Sequence, residues 1–293
     1  MANNPVAQEI GHRLATKDLL HEISALAQQA AVAIMKVYAL PFDVTHKDDK
    51  SPVTAADHAA EAIILKGLKG LTPDIAVIAE EEMAAGREPD TKAGVFWLVD
   101  PLDGTKEFVK KNGEFTVNIA LVADGRTVLG VVLAPATQSL WRGLNWGEMP
   151  YAELLQGQAE ARRIATRAPS ADGITVFASR THGSYRDPEL EDFLTQFRIA
   201  ERKQAGSSLK FCRIAAGEAD LYPRFGPTME WDTAAGQAVL EAAGGRVTTM
   251  DGAPVTYGKP SFRNPHFVAW GWKDGELERR GLEKVKPSPQ ANE

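Results

Sequence analysis

VFWLVDPLDGTKEF, residues Val95 to Phe108, begins as an unbroken apolar run and ends in two aspartates, a proline and a glycine. Such a run suits a strand buried on both faces. Pro101 has no N–H for a sheet ladder and pushes the residue before it into extended backbone, so the strand is expected to stop at Asp100. Asp100 and Asp103 then lie at its carboxyl end. Asp103 has the chemistry of an N-cap for a helix over GTKEFVKK, where the first N–H groups, those of Gly104 and Thr105, favour an anion. An Asp-Gly turn followed by a helix cap accounts for this fragment equally well.

Just upstream, the apolar strand IAVIAE runs into Glu80, Glu81 and Glu82. Three adjacent acids are usually a solvated loop. Strands close in sequence tend to be neighbours, and pairing with residues 95 to 100 would bring Glu80 or Glu81 to Asp100 and Asp103. Carboxylates at ~4 Å repel by about 4 kcal/mol per pair at an effective dielectric near 20, so such a cluster requires cations. Oxygen ligands select magnesium, or manganese, over zinc. An aspartate-nucleophile phosphatase of the haloacid-dehalogenase type needs its two acids two residues apart, whereas Asp100 and Asp103 are three apart with a proline between them. Metal-activated water is the better nucleophile here.

A chain of 293 residues, 44% of them hydrophobic, buries a full core and suits two domains or one large one. With 39 acidic and 33 basic side chains the formal charge is -6. No broad basic surface for nucleic-acid polymers or anionic lipid is expected. The one cysteine, Cys212, forms no internal disulfide or cysteine zinc cluster, is assigned to the core, and fits a reducing cytoplasm. No signal-peptide pattern and no membrane-length apolar run is present, so a soluble protein is expected.

Leu19, Leu20, Ile23, Leu26, Ala30, Ile34 and Val37 follow helical spacing and predict a long amphipathic helix. A polar loop, THKDDKSP, precedes a second helix over TAADHAAEAIILKGLKGL with Thr54 as N-cap and Asp57 in the first turn. TVNIALVADG and TVLGVVLAP are expected to pair across a turn at Asp124, Gly125 and Arg126. Polar sequence from Gly157 to Pro169 marks a boundary. The expected division is 1–157, 158–285 and a flexible tail, 286–293. In the second part ITVFASR and DLYPRF read as strands; DPELEDFLTQF, KFCRIAAGEA and WDTAAGQAVLEAAGG read as helices.

Taken together, AEEEM, WLVDPLDGTKEF, GEFTVNIALV and MEWDTAAG resemble the inositol monophosphatase family of lithium-sensitive, magnesium-dependent phosphatases. KSPVTAAD, GSSLKFCRIAAGEADLYPRFGP and WDTAAGQAV bring the chain close to the family's bacterial 3'(2'),5'-bisphosphate nucleotidase branch. The resemblance implies an α+β protein of five layers, α-β-α-β-α, with an antiparallel sheet domain followed by a smaller mixed or parallel one. It makes Glu80, Asp100, the carbonyl of Leu102, Asp103 and Asp232 ligands of two or three magnesium ions, with Glu81 outside the direct ligands. Asp57 paired with Thr105 would orient the attacking water, and the N–H groups of Gly104 and Thr105 would hold the phosphate. Lys50 matches a position near the metals. Ser207, Lys210, Arg224 and His182 resemble residues that grip the second phosphate and ribose of 3'-phosphoadenosine 5'-phosphate. The implied reaction is release of AMP and phosphate in sulfur metabolism, in the cytoplasm or peripherally at the inner membrane.

Each residue also has an ordinary reading. Asp57 serves as the acid of a Thr54-x-x-Asp57 capping motif. Asp232 serves as an N-cap before TAAGQAV. Lys50 and Lys210 serve as solvated lysines, Arg224 as the partner of a structural acid, and His182 as a surface hydrogen-bonder. Inositol phosphates and fructose 1,6-bisphosphate are the alternative substrates. A phospholigand-binding regulator without turnover is the alternative class.

Overall fold

The computed structural model describes residues 4–40, 52–146, 150–179 and 188–273. Lys50, His182, most of the polar loop expected over 45–52 and the tail 286–293 lie outside these.

Three helices open the chain: α1 (Pro5–Leu14), α2 (Lys17–Tyr38) and α3 (Pro52–Leu71). The Oγ1 of Thr16 caps α2 by accepting the Leu19 N–H at 3.1 Å; of the apolar stripe expected from the spacing, Leu20, Ile23, Ala30 and Ile34 are buried, together with Ala27, and Leu19, Leu26 and Val37 are half-buried. Helix α3 begins at Pro52, where a missing N–H costs nothing. Thr54 is therefore inside the helix, and Asp57 is not a first-turn acid; the expected capping motif does not form.

Seven strands make the first sheet, in chain order: β1 (Ala76–Ala79), β2 (Val95–Asp103), β3 (Thr116–Ala123), β4 (Arg126–Ala134), β5 (Ser139–Leu144), β6 (Tyr151–Gln156) and β7 (Arg162–Arg163). All pair antiparallel except β1, which joins β2 in parallel, so this sheet is mixed rather than purely antiparallel. Its last strand lies beyond Gly157. The β3–β4 turn is the expected one: Asp124 and Gly125 have φ of 49° and 73°, the left-handed pair that a two-residue hairpin needs.

The second sheet is built from β8 (Ile174–Ser179), β9 (Ile199–Ala205), β10 (Leu221–Arg224), β11 (Arg246–Thr249) and β12 (Phe267–Trp270), in the order β11-β12-β10-β8-β9. Between the sheets lie α7 (Leu209–Ala215) and α8 (Ala234–Ala242); α8 packs on β3, β4 and β5. The remaining helices are α4 (Glu80–Ala84), α5 (Thr105–Val109) and α6 (Pro188–Leu194). One apolar slab joins α1, α2 and α3 to the first sheet, a second fills the space between the sheets, and a third joins α6 to the second sheet. These are the five layers expected. They explain why VFWLV reads as continuous apolar sequence in a largely antiparallel sheet: helices cover both faces. Among the described residues no helix is long and apolar enough to cross a membrane.

Candidate active site

Contrary to the expected stop at Asp100, β2 continues through Pro101 to Asp103. The register explains how. Asp100 faces Asn118 and Asp103 faces Thr116, so three steps along β2 match two along β3. The extra residue is a bulge, the setting in which a sheet tolerates proline. Residues three apart on a regular strand point to opposite faces; the inserted residue restores both aspartates to one face. In this chain the D-x-x-D spacing spans the bulge.

Asp103 is not an N-cap. That position of α5 belongs to Gly104, with φ of 93°, and no side chain caps the helix. Instead, Oδ2 of Asp103 accepts the Ser208 N–H at 2.6 Å and faces Thr116 Oγ1 and Asn118 Nδ2, each at 3.4 Å. Asp100 is buried, and its Oδ1 accepts the Leu102 N–H at 3.0 Å. Because β1 runs parallel beside β2, with Ala79 opposite Val99, the next residue, Glu80, reaches the same end of the sheet. The three glutamates open α4 rather than forming a solvated loop. Asp232 comes from the far side, on a short 3-10 turn, Glu230–Asp232, separate from α8; its Oδ2 accepts the Met229 N–H at 2.8 Å. It does not cap α8, whose N-cap position is Thr233.

The four acids line one cavity of about 360 Å³. Burial, then repulsion from Asp103 and Glu81, pushes Glu80 up to about 7. Burial, then Asp103, raises Asp232 to about 8. Asp100 is driven well above the carboxylate range by burial and by Glu80, Asp103 and Asp232. On α3, Asp57 is raised to about 9 by burial and by Glu80 and Glu81. Its Oδ1 is buried without a hydrogen-bond partner, and no hydrogen bond joins it to exposed Thr105. Among the described residues no lysine or arginine pairs with any of the four cavity acids, and no three acidic groups stand in a ready-made cation cage. Hydrogen bonds hold one oxygen of Asp103 and one of Asp232 toward protein. The donor set, hard carboxylates with an orphaned buried oxygen beside them, suits a hard divalent cation.

Two buried cations line the same cavity. Lys210 is buried rather than solvated, with Nζ 2.6 Å from the Ser207 carbonyl oxygen and 5.0 Å from the Tyr222 ring centre. Burial lowers it to about 8; Asp103 opposes this and Arg224 adds to it. Arg224 is also buried; Nη2 donates to the Pro227 carbonyl at 3.1 Å, and Nε has no partner. Among the described residues no acid forms an ion pair with it. The Ser207 Oγ is buried and unpartnered, so two polar groups beside Lys210 lack protein partners. Gly104, Thr105 and Leu102 complete the lining, with Phe211, Tyr222 and Phe267 forming an aromatic floor. Cys212 is buried and reduced, as its core assignment requires.

Sequence reasoning missed Ser208, Asn118 and Glu61. Ser208 stands in the GSSLK string beside Ser207, but only the fold shows it reaching Asp103.

A family model described as "Inositol monophosphatase family" matches residues 17–283. The 3'(2'),5'-bisphosphate nucleotidase CysQ of Escherichia coli strain K12 is 46% identical over 255 residues, covering 85% of this chain and 98% of that protein. CysQ of Buchnera aphidicola subsp. Acyrthosiphon pisum is 41% identical over 261 residues, covering 86% and 94%. Among solved structures, CysQ from Bacteroides thetaiotaomicron, described as a bacterial member of the inositol monophosphatase family, superposes with a TM-score of 0.74. Its sequence is 33% identical, with 88% of this chain and 98% of that one covered.

Proposed function

Given that the chain belongs to the inositol monophosphatase family, we propose that it is a 3'(2'),5'-bisphosphate nucleotidase that hydrolyses 3'-phosphoadenosine 5'-phosphate to AMP and phosphate. The observation that carries this reading is one cavity lined by four acids and by two buried cations, Lys210 and Arg224. A monophosphate needs only the four acids and the cations they hold. A second phosphate gives Lys210 and Arg224 a partner.

Glu80, Asp100, the Leu102 carbonyl, Asp103 and Asp232 would hold two or three magnesium ions, with manganese as substitute. When bound, magnesium supplies charge that acidifies water and offsets the charge developing on phosphoryl oxygens. Asp57, from α3, and Thr105, from α5, orient the attacking water. The N–H groups of Gly104 and Thr105 hold the phosphoryl oxygens. Ser207, Lys210 and Arg224 bind the second phosphate and the ribose, with His182 on the nucleotide side. The same reading divides the chain into 1–157, which bears most of the acids, and 158–285, which bears Asp232 and the nucleotide side. It sets the reaction in sulfur metabolism, in the cytoplasm or peripherally at the inner membrane.

The test is phosphate release by purified protein with magnesium, on 3'-phosphoadenosine 5'-phosphate, inositol 1-phosphate and fructose 1,6-bisphosphate in parallel. A kcat/KM highest on the nucleotide supports the proposal. Preference for either sugar phosphate overturns the substrate. Binding without release makes the protein a phospholigand-binding regulator.

A further inference from the structure

Ser208 breaks a local rule. It occupies the N-cap position of α7, where a serine side chain normally accepts an N–H of the first turn, yet it makes no such bond. Its backbone is helical, with φ of -69° and ψ of -4°, which turns the side chain away from that role. The preceding Ser207 has φ of 46°, in the left-handed region that a non-glycine residue avoids. An uncapped helix beside a strained residue marks a position held for another purpose.

That purpose is visible in the hydrogen bonds, because the N–H and Oγ of Ser208 together reach β2, β3 and the 3-10 turn. The backbone N–H goes to Asp103 Oδ2 at 2.6 Å, at the end of β2. The Oγ lies 2.7 Å from the carbonyl oxygen of Asp232, on the 3-10 turn, and 3.0 Å from Asp103 Oδ2. It also accepts Asn118 Nδ2 at 3.0 Å, from β3. One hydroxyl hydrogen serves one acceptor at a time. The shorter contact, 2.7 Å against 3.0 Å, assigns that hydrogen to the Asp232 carbonyl. Asn118 stands opposite Asp100 in the sheet, so the same serine is tied to the strand register that aims both aspartates. Ser208 is buried, so no water competes for these bonds.

We infer that Ser208 is a positioning residue that fixes the separation of Asp103 and Asp232, joining the acid from the first sheet to the acid from the second. The inference rests on the proposed role of both acids as cation ligands. Groups hydrogen-bonded behind ligands are worth roughly 10- to 100-fold in cation affinity. Replacing the hydroxyl leaves the N–H bond to Asp103 intact and releases Asp232.

The test is calorimetric titration of magnesium into the chelator-treated full chain, comparing wild type, Ser208→Ala, Ser208→Cys, Asp232→Asn and Ser208→Ala/Asp232→Asn. Cysteine nearly preserves the volume and guards against misfolding of the alanine variant. Ser208→Ala and Ser208→Cys are expected to weaken magnesium roughly 10- to 100-fold. The double variant should bind no more weakly than Asp232→Asn alone. At saturating magnesium, KM for 3'-phosphoadenosine 5'-phosphate should stay near wild type. Wild-type affinity in both serine variants, or losses that multiply in the double variant, overturns the positioning role. Absence of magnesium binding by the wild type overturns the ligand assignment instead.

Discussion

Glu61 Oε2 accepts the backbone N–H of Glu81 at 2.9 Å. Helix α4 starts from Ala79, which has no side-chain acceptor, so a carboxylate on α3 caps it from outside. The cap fixes the step at which Glu80 turns into the cavity. Glu61→Ala should cost about 1 to 3 kcal/mol, the loss of a cap with a donor left unpaired. Glu61→Gln keeps an acceptor oxygen and should remain near wild type, or slightly above it without metal, because burial disfavours the charge more than the Glu81 N–H favours it. Urea unfolding of both variants checks this, and equal destabilisation by alanine and glutamine would contradict it.

Metal-free stability should fall with rising pH. Burial and mutual repulsion raise Glu80 to about 7, Asp232 to about 8 and Asp57 to about 9, with Asp100 well above its ordinary range. The folded chain therefore holds protons that the unfolded chain releases near pH 4. Stability from these groups is complete below that value and is lost as pH rises through the folded values. Melting in a chelator should drop from pH 6 to pH 9, and magnesium should flatten the drop by replacing the protons. A melting temperature that rises over this interval without metal would contradict the assignment.

The parts read correctly from sequence are those fixed by neighbours in the chain. Helix α2 follows from its apolar spacing, and the β3–β4 hairpin from Asp124-Gly125. Asp100 and Asp103 stand out because a strand end followed by D-P-L-D-G-T is unusual in itself, whereas Asp232, and the choice of Glu80 over Glu81, come only through the family resemblance. What failed depended on distant partners. Pro101 ends a strand in isolation, but β3 absorbs it in a bulge; Asp103 looks like a cap until Ser208, from another layer, claims its oxygen. Lys210 looks solvated because lysine usually is, whereas Ser207 and Tyr222 enclose it.

Lys210 is held near pH 8 by its burial, so its charge is sensitive to mildly alkaline conditions. KM for 3'-phosphoadenosine 5'-phosphate should therefore rise above about pH 8, while Lys210→Arg, charged throughout, should show a flatter profile. Lys210→Met removes a charged hydrogen bond worth about 1.5 to 3 kcal/mol and should raise KM roughly 10- to 100-fold with kcat little changed. Initial rates from pH 7 to 9.5 decide the matter. An unchanged KM in Lys210→Met would remove this residue from the substrate wall.

Gly130, in the middle of β4, ties the sheet to the turn that carries Asp232. A Cβ there would lie 2.7 Å from the Ala235 carbonyl oxygen and 2.8 Å from Ala238 Cβ, so α8 rests directly on the strand backbone. Both obstacles belong to α8 itself, so no flexible side chain can swing aside. Gly130→Ala must move the helix outward, at a cost of about 1 to 3 kcal/mol for overpacking a filled core. Because α8 follows Asp232 after only Thr233, the shift carries that acid away from Asp100 and Asp103. The variant should thus lose magnesium affinity as well as stability, although Gly130 lies outside the cavity lining. Calorimetry on the folded variant separates the two effects: lowered stability with wild-type magnesium affinity would mean that the helix yields without disturbing the acids.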